Sequence, residues 1–301
     1  PNLKSLDTLL AKQNLAPQEL GKGRNVWYCM GYILSVGKAE AVALHDCDII
    51  TYSRSLLARL VYPVANPKFN FDFCKGYYPR VSENKVKGRV ARLLVTPLLR
   101  ALEKTIGFNE FISFVDSFRY PLAGEFSFRR RVLKDIRIPY DWGLEIGVLS
   151  EMFRNYAGNR LCQVDIADNY DHKHQDIFFD DNSKGLSKMS VDIIKVIIRK
   201  LASQGEPFSM SIFRSLKATY YREALDFVQI YKKDALMNAY DIDVHEEETA
   251  VELFAKNIMV AGQVFLDSPM ESPNIPTWSR VDTALPSFLY DLRKAVELDN
   301  K

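Results

Sequence analysis

Cysteine is scarce: only Cys29, Cys47, Cys74 and Cys162 occur in 301 residues, and none stands in a C-x-x-C pair. A disulfide framework or a structural zinc site is therefore not expected, and the thiols are read as reduced and partly buried. Histidine is equally rare, at four. An excess of one charge is missing too: 40 Lys and Arg against 38 Asp and Glu leave a formal charge of +2. That argues against a field-driven grip on nucleic acid. No apolar run approaches the roughly 20 residues that span a bilayer. No basic segment followed by an apolar one marks a secretory leader. The chain is accordingly read as cytoplasmic, with neither a membrane nor a nucleic acid as partner. The G-x-x-x-x-G-K-[ST], G-x-G-x-x-G and G-x-S-x-G signatures are absent, which excludes the Walker A, dinucleotide and nucleophile-elbow readings.

What remains is an ordinary globular composition, 47% hydrophobic and 26% charged, sized for one large domain or two modest ones. Residues 5–15 read as a short helix with Leu6, Leu9 and Leu10 on one face. Gly21-Lys22-Gly23-Arg24 opens a helix through Val26, Trp27, Met30, Ile33 and Leu34, spaced three and four apart. Ala41-Val42-Ala43-Leu44 suits a strand buried on both faces of a parallel sheet. Ser53 is placed to cap the next helix. Phe69, Phe71 and Phe73 alternate with polar residues, a strand signal. Residues 88–106 and 142–156 are predicted helices, and 125–129 and 161–166 predicted strands. Strands alternating with helices define an α/β fold.

Beyond about Asp180 helical periodicity takes over, through 189–201, 213–239, 246–266 and 285–298. The expected division is an α/β domain over residues 1–180 and a helical region over 181–301. Tyr220, Tyr221, Phe227, Tyr231 and Tyr240 are read mainly as core, with a remaining apolar stripe offered to a second copy as a homodimer contact. An acidic turn at Asp46 follows only one helix and one strand, whereas a nucleotide-binding α/β half takes about 100 residues. The chain is therefore expected to begin partway through a domain.

The chemistry-bearing residues fall in a few short segments. Asp46-Cys47-Asp48 places two carboxylates after an apolar strand, at the sheet edge where α/β proteins bind ligands. Such carboxylates suit Mg²⁺ or Mn²⁺; a solvated acidic turn is the plainer alternative. His45-Asp46 is similar to the dipeptide of metal phosphohydrolases, which carry it on a helix. Asp171-His172-Lys173-His174 holds two of the four histidines, either as a ligand and an anion contact or as an exposed turn. Gly21-Lys22-Gly23 offers backbone N–H groups to a phosphate at a helix start, or is a simple turn. Gly88-Arg89, after Lys85 and Lys87, also begins a helical segment, and an Arg there can fork onto a phosphate or carboxylate. Glu145, inside Trp142-Gly143-Leu144-Glu145-Ile146-Gly147, is a carboxylate in an apolar stretch and needs a partner, either an internal Arg or sugar hydroxyls.

In order, Gly21-Lys22-Gly23, Leu44-His45-Asp46-Cys47-Asp48, Lys75-Gly76-Tyr77-Tyr78, Gly88-Arg89-Val90, Pro121-Leu122-Ala123-Gly124-Glu125, Gly143-Leu144-Glu145-Ile146-Gly147 and His172-Lys173-His174-Gln175 resemble the glucosyl-3-phosphoglycerate synthase family. These are retaining glycosyltransferases of the GT-A fold. The resemblance covers about residues 21–175. It implies transfer of glucose from UDP-glucose to 3-phosphoglycerate with Mg²⁺ or Mn²⁺, giving a precursor of a compatible solute. It implies that Asp46, Asp48 and His172 form the metal site, with Asp48 the direct carboxylate ligand. Lys22, Cys47, Leu122, Ala123 and Gly124 then fall on the donor side. Gly88, Arg89, Lys173 and His174 fall on the acceptor side, and Glu145, Arg89 and His174 at the reacting groups. Two departures stand out. Ala91 occupies a position where the family usually has Thr, and the family's N-terminal α/β half is not seen before Gly21. Mannosyl transfer from GDP-mannose, a truncated dimerising module and a phosphohydrolase on His45-Asp46 are the alternatives.

Overall fold

The computed structural model describes residues 4–17, 20–171, 185–269 and 274–299. In chain order come α1 (Lys4–Lys12), α2 (Lys22–Val36), β1 (Ala41–Leu44), α3 (Arg54–Ala65) and β2 (Phe73–Tyr77). A hairpin follows, β3 (Val81–Ser82) and β4 (Lys85–Val86). Its two turn residues, Glu83 and Asn84, both take positive φ, at 49° and 60°, as a tight primed turn requires. A π-helical turn, Val90–Val95, runs straight into α4 (Thr96–Ile106). Then come α5 (Glu110–Asp116), β5 (Phe126–Arg129), α6 (Val132–Asp135), α7 (Leu144–Asn155) and β6 (Leu161–Asp165).

The sheet order is β1-β5-β2-β6. β5 is antiparallel to both neighbours, with Leu44 opposite Phe126 and Cys74 opposite Ser127. β2 and β6 are parallel, from Phe73–Leu161 to Tyr77–Asp165. The expectation for Ala41–Leu44 is corrected here. β1 is antiparallel to its one partner among the described residues, lies at the sheet edge, and is half-buried along its length. A short apolar run shows that a strand forms, but not which neighbour it takes. Because β5 runs the other way, its first residues lie beside the C-terminal ends of β1 and β2.

Alternating side chains split the sheet into two faces. Phe73, Phe126 and Phe128 join a large core with Trp27, Leu98, Leu144 and Leu149. Cys74, Leu56, Leu60, Ile166 and Tyr170 form a smaller core on the other face, under α3. The larger core continues from Leu6 to Leu292 without a break. It takes in the C-terminal helices α8 (Gly185–Ser203), α9 (Met210–Met237), α10 (Val244–Asp267), α11 (Trp278–Ala284) and α12 (Phe288–Asp299). Tyr220 on α9 is fully buried and donates to the Leu93 carbonyl at 2.6 Å, inside the π-helical turn. Trp27 and Trp278 stack with centroids 4.0 Å apart, and each indole N–H reaches a backbone carbonyl across the α2–α11 contact.

Other expectations need adjusting. The strand begins at Phe73; Phe69 is exposed and stacks on Phe71 before it. Ser53 precedes α3 but meets the Ser55 hydroxyl rather than a helix N–H. Cys29 and Cys47 are exposed rather than partly buried. α10 is by length and composition apolar enough to cross a membrane, contrary to the reading of the sequence; more than half of that window is packed inside the fold. α11 was not anticipated. Tyr221 is exposed, unlike Tyr220.

Candidate active site

Lys22 stands in the first turn of α2. Gly21 and Gly23 flank it, and both are packed against the next segment. A Cβ on Gly21 would lie 2.2 Å from the Tyr140 carbonyl oxygen, and one on Gly23 1.8 Å from that of Pro139. The glycines are thus required by close backbone packing, whatever ligand the helix start meets. The packing brings Lys22 to the start of α7. Its Nζ lies 2.7 Å from Glu145 Oε1 and 2.6 Å from Asp46 Oδ1. Burial would lower the Lys22 pKa, but the charges of Glu145 and Asp46 outweigh it and hold the ammonium well above its ordinary value. Within the protein Glu145 therefore finds a lysine as its cationic partner, where an arginine was expected.

A second carboxylate lies beneath. Glu125 is buried at the start of β5 and accepts from the Tyr78 and Tyr170 hydroxyls, each at 2.7 Å, and from the Asp46 N–H at 3.3 Å. Burial, and then the Asp46 charge, raise its pKa. Lys75 on β2 is fully buried and donates to the Ala123 carbonyl at 2.6 Å. Burial pulls its pKa down to about 8, although Glu145 and Glu125 favour the charged form. Gly124 is pressed against the acidic turn: a Cβ there would lie 2.4 Å from Asp46 Oδ2. Leu122 lines the cleft, while Ala123 is buried and contributes its carbonyl to Lys75.

The opposite wall is basic. The hairpin and the following turn place Arg80, Lys85, Lys87, Gly88 and Arg89 along it. Arg89 is held by α10, its Nε 3.0 Å from Glu247 and its Nη1 3.1 Å from Glu246. Arg92 forks onto the same Glu247 at 2.7 and 3.1 Å. Glu247 is 2% exposed, so Arg89 is tied into a buried ion network.

Between these walls lies a cleft of about 1260 Å³, lined also by Asp48, Cys47, Tyr120 and Trp142. Lys22, Asp46, Cys47, Asp48, Gly88, Arg89, Leu122 and Glu145 all meet there. His172, Lys173 and His174 lie outside the described residues. Asp171, directly before them, has its backbone bonded to Ile50 and Thr51, with the Ile50 N–H 2.8 Å from the Asp171 carbonyl. Among the described residues no group of three His, Cys, Asp or Glu side chains forms a metal cluster. Asp46 is neutralised by Lys22, whereas Asp48 lines the cleft with no ion pair among the described residues. The Asp48 carboxylate is an oxygen donor of the kind that Mg²⁺ or Mn²⁺ takes. His45 is turned away: both ring nitrogens are buried without hydrogen-bond partners among the described residues, and the ring meets Tyr52 edge-on.

Several contributors were missed. Glu125 and Lys75 lay in recognised segments without an assigned role, and a lysine between Cys74 and Gly76 in an apolar strand was the available signal. Nothing local marked Tyr170, Arg80 or Glu247.

An acidic wall, a basic wall and an aromatic floor at one end of a mixed sheet define an α/β protein that handles small anionic ligands. No protein-family model matches the chain. Glucosyl-3-phosphoglycerate synthase of Persephonella marina is 47% identical over 280 residues, covering 93% of this chain and 69% of that protein. The synthase of Methanococcoides burtonii is 38% identical over 284 residues, with the same 93% and 69% coverage. A solved structure of glucosyl-3-phosphoglycerate synthase from Mycobacterium tuberculosis, in complex with Mn²⁺, uridine-diphosphate-glucose and phosphoglyceric acid, is 24% identical. It superposes with a TM-score of 0.47 over 64% of this chain and 58% of that one. This chain belongs to the glucosyl-3-phosphoglycerate synthase family, and it spans about two thirds of the length of the curated relatives it matches.

Proposed function

We propose that this chain carries the transfer of glucose from UDP-glucose to 3-phosphoglycerate with retention of configuration, assisted by Mg²⁺ or Mn²⁺. The observation that carries the reading is the meeting of Lys22, Asp46 and Glu145 in one cleft opposite Gly88 and Arg89. Asp48 and His172 hold the cation, with Asp46 steadied by Lys22 beside them. When bound, the cation neutralises the diphosphate leaving group. Cys47 and the Leu122–Gly124 segment line the donor side. Gly88, Arg89, Lys173 and His174 receive the acceptor's phosphate and carboxylate. Glu145 faces the sugar and the acceptor hydroxyl. The acceptor oxygen attacks on the face from which the diphosphate leaves, and its proton passes to the departing phosphate oxygen. The enzyme's part is positioning and fixed charge. The site, residues 1–180 and the helices of 181–301 act together in a cytoplasmic homodimer. A monomeric mass by light scattering at micromolar concentration overturns the dimer.

The test is UDP release from UDP-glucose with Mg²⁺, with and without 3-phosphoglycerate, for this chain and for one extended upstream through its reading frame. Release that depends on 3-phosphoglycerate in either, and is lost with a chelator, supports the reading. Release from neither rejects this donor and acceptor and brings GDP-mannose forward.

A further inference from the structure

The two lysines near the acidic turn are held in opposite ways. Lys22 carries two carboxylates on its ammonium, Glu145 and Asp46. Lys75 has no carboxylate paired with it among the described residues, although it is fully buried. Its Nζ donates to the Ala123 carbonyl at 2.6 Å and lies 5.0 Å from the centroid of the Phe126 ring. Burial draws its pKa down to about 8; the charges of Glu145, Glu125 and Asp46 favour the ammonium, and that of Lys22 opposes it. An ammonium has three donors to satisfy. Out of water, with one neutral acceptor, it costs the fold more than an apolar side chain of similar length. A group that the fold would be more stable without points to a use at the site.

That use follows from what Lys75 holds. Leu122 lines the cleft, and Gly124 is pressed against the Asp46 carboxylate. Two bonds from β2 fasten the segment between and beyond them. The Gly76 N–H donates to the Glu125 carbonyl at 2.9 Å, one position after Gly124. The Lys75 ammonium takes the Ala123 carbonyl, one position before it. The Ala123 N–H closes the turn onto the Tyr120 carbonyl at 3.2 Å. The anchor after Gly124 is main chain to main chain. The anchor before it depends on a single side chain, whose charge makes the bond roughly twice as strong as a neutral one. Lys75 itself is not among the residues that line the cleft.

We propose that Lys75 is a positioning residue: through the Ala123 carbonyl it fixes Leu122 and Gly124 as the donor-side wall of the cleft. This rests on the donor reading given under Proposed function, and the experiment separates the two. The chain and its Lys75→Met and Lys75→Gln variants are titrated with UDP-glucose in the presence of Mg²⁺ and with 3-phosphoglycerate. Melting temperatures and the Gly124 amide resonance are recorded alongside; the Gly124 nitrogen follows the Ala123 carbonyl and senses the bond to it. Lys75→Met is expected to move that resonance and to weaken UDP-glucose binding by about tenfold, as a displaced contact surface does. Its 3-phosphoglycerate affinity should change less than twofold, and its melting temperature should hold or rise. Lys75→Gln keeps an N–H donor and should recover part of the loss. An unmoved Gly124 resonance overturns the proposal, as does unchanged UDP-glucose affinity in Lys75→Met. A variant that unfolds, or loses both ligands alike, makes Lys75 a residue of the fold and also overturns it. If the unaltered chain binds no UDP-glucose, the donor reading falls, and a moved Gly124 resonance still upholds Lys75 as the anchor of the turn.

Discussion

Lys22 and Glu145 are 123 positions apart in the chain, yet the ammonium lies 2.7 Å from the carboxylate. The same ammonium lies 2.6 Å from Asp46. One point charge thus joins the first turn of α2, the acidic turn after β1 and the first turn of α7. Glu145 is in addition favoured by the α7 N-terminus, where negative charge is stabilised.

Lys22→Met leaves two carboxylates facing each other without their cation. Their side chains are 30% and 8% exposed, so the loss of stability should be about 2 kcal/mol. Urea unfolding measures it. In a Lys22→Met/Glu145→Gln double variant the two costs should fall short of additivity by about 1 kcal/mol. Strict additivity would show that the pair contributes nothing. Either single change should lower kcat/KM more than tenfold.

Gly124→Ala puts a methyl group into the space of the Asp46 carboxylate. The carboxylate can swing aside, so the melting temperature should move by only about 2 °C. Activity should fall at least tenfold, because Asp46 then leaves Lys22. Equal losses of activity and stability would mean that the backbone, not Asp46, had moved.

Lys75 gives up its proton at about pH 8 in the folded chain, against a usual lysine value of 10.5. Between those values the unfolded chain holds more protons, so raising the pH favours the folded form. The stability of the native chain should rise by about 3 kcal/mol across that window. Lys75→Met, which cannot titrate, should lack this rise. Chemical denaturation of both at pH 7.5, 9 and 10.5 gives the difference, and parallel curves would refute it.

Glu247 is the shared anion of Arg89 and Arg92 on α10. Glu247→Ala strands the buried Arg92 guanidinium and leaves Arg89 with Glu246 alone, and should cost about 3 kcal/mol. Glu247→Gln, which keeps two acceptor lone pairs, should cost roughly half as much. Because Glu247 holds Arg89 on the wall of the cleft, Glu247→Ala should also raise the KM for 3-phosphoglycerate. Stability loss without that change would confine Glu247 to the fold.

Much of the scaffold could be read in advance. The helices of residues 189–201 and 213–239 emerged within a few positions of α8 and α9, because a helix declares itself through neighbours three and four apart. Strands at 126–129 and 161–165 did so through alternation. β1 was recognised as a strand, but its antiparallel pairing and its edge position were not. Pairing depends on a distant partner, 84 positions away between Ala43 and Ser127 and 88 between Ala41 and Arg129. The site was legible as segments: Lys22, Asp46, Asp48, Glu145, Gly88 and Arg89 were singled out and do share one cleft. What each side chain touches was not. The cationic partner of Glu145 inside the protein is a lysine rather than an arginine, and Gly21 and Gly23 are held by backbone packing.

The sequence alone determined the kinds of element, their order and the ordered set of short segments that marks the family, since each is a matter of residues within a few positions of one another. The tertiary structure alone decided which charges are neutralised within the protein and which remain for a ligand. Arg89 and Arg80 are nine positions apart and look alike in the sequence. α10 supplies Glu246 and Glu247 to Arg89, while Tyr78, Tyr120 and Tyr170 surround Arg80, whose Nε has no hydrogen-bond partner among the described residues. That difference arises from helix and strand packing across more than a hundred residues of chain, where no local pattern reaches.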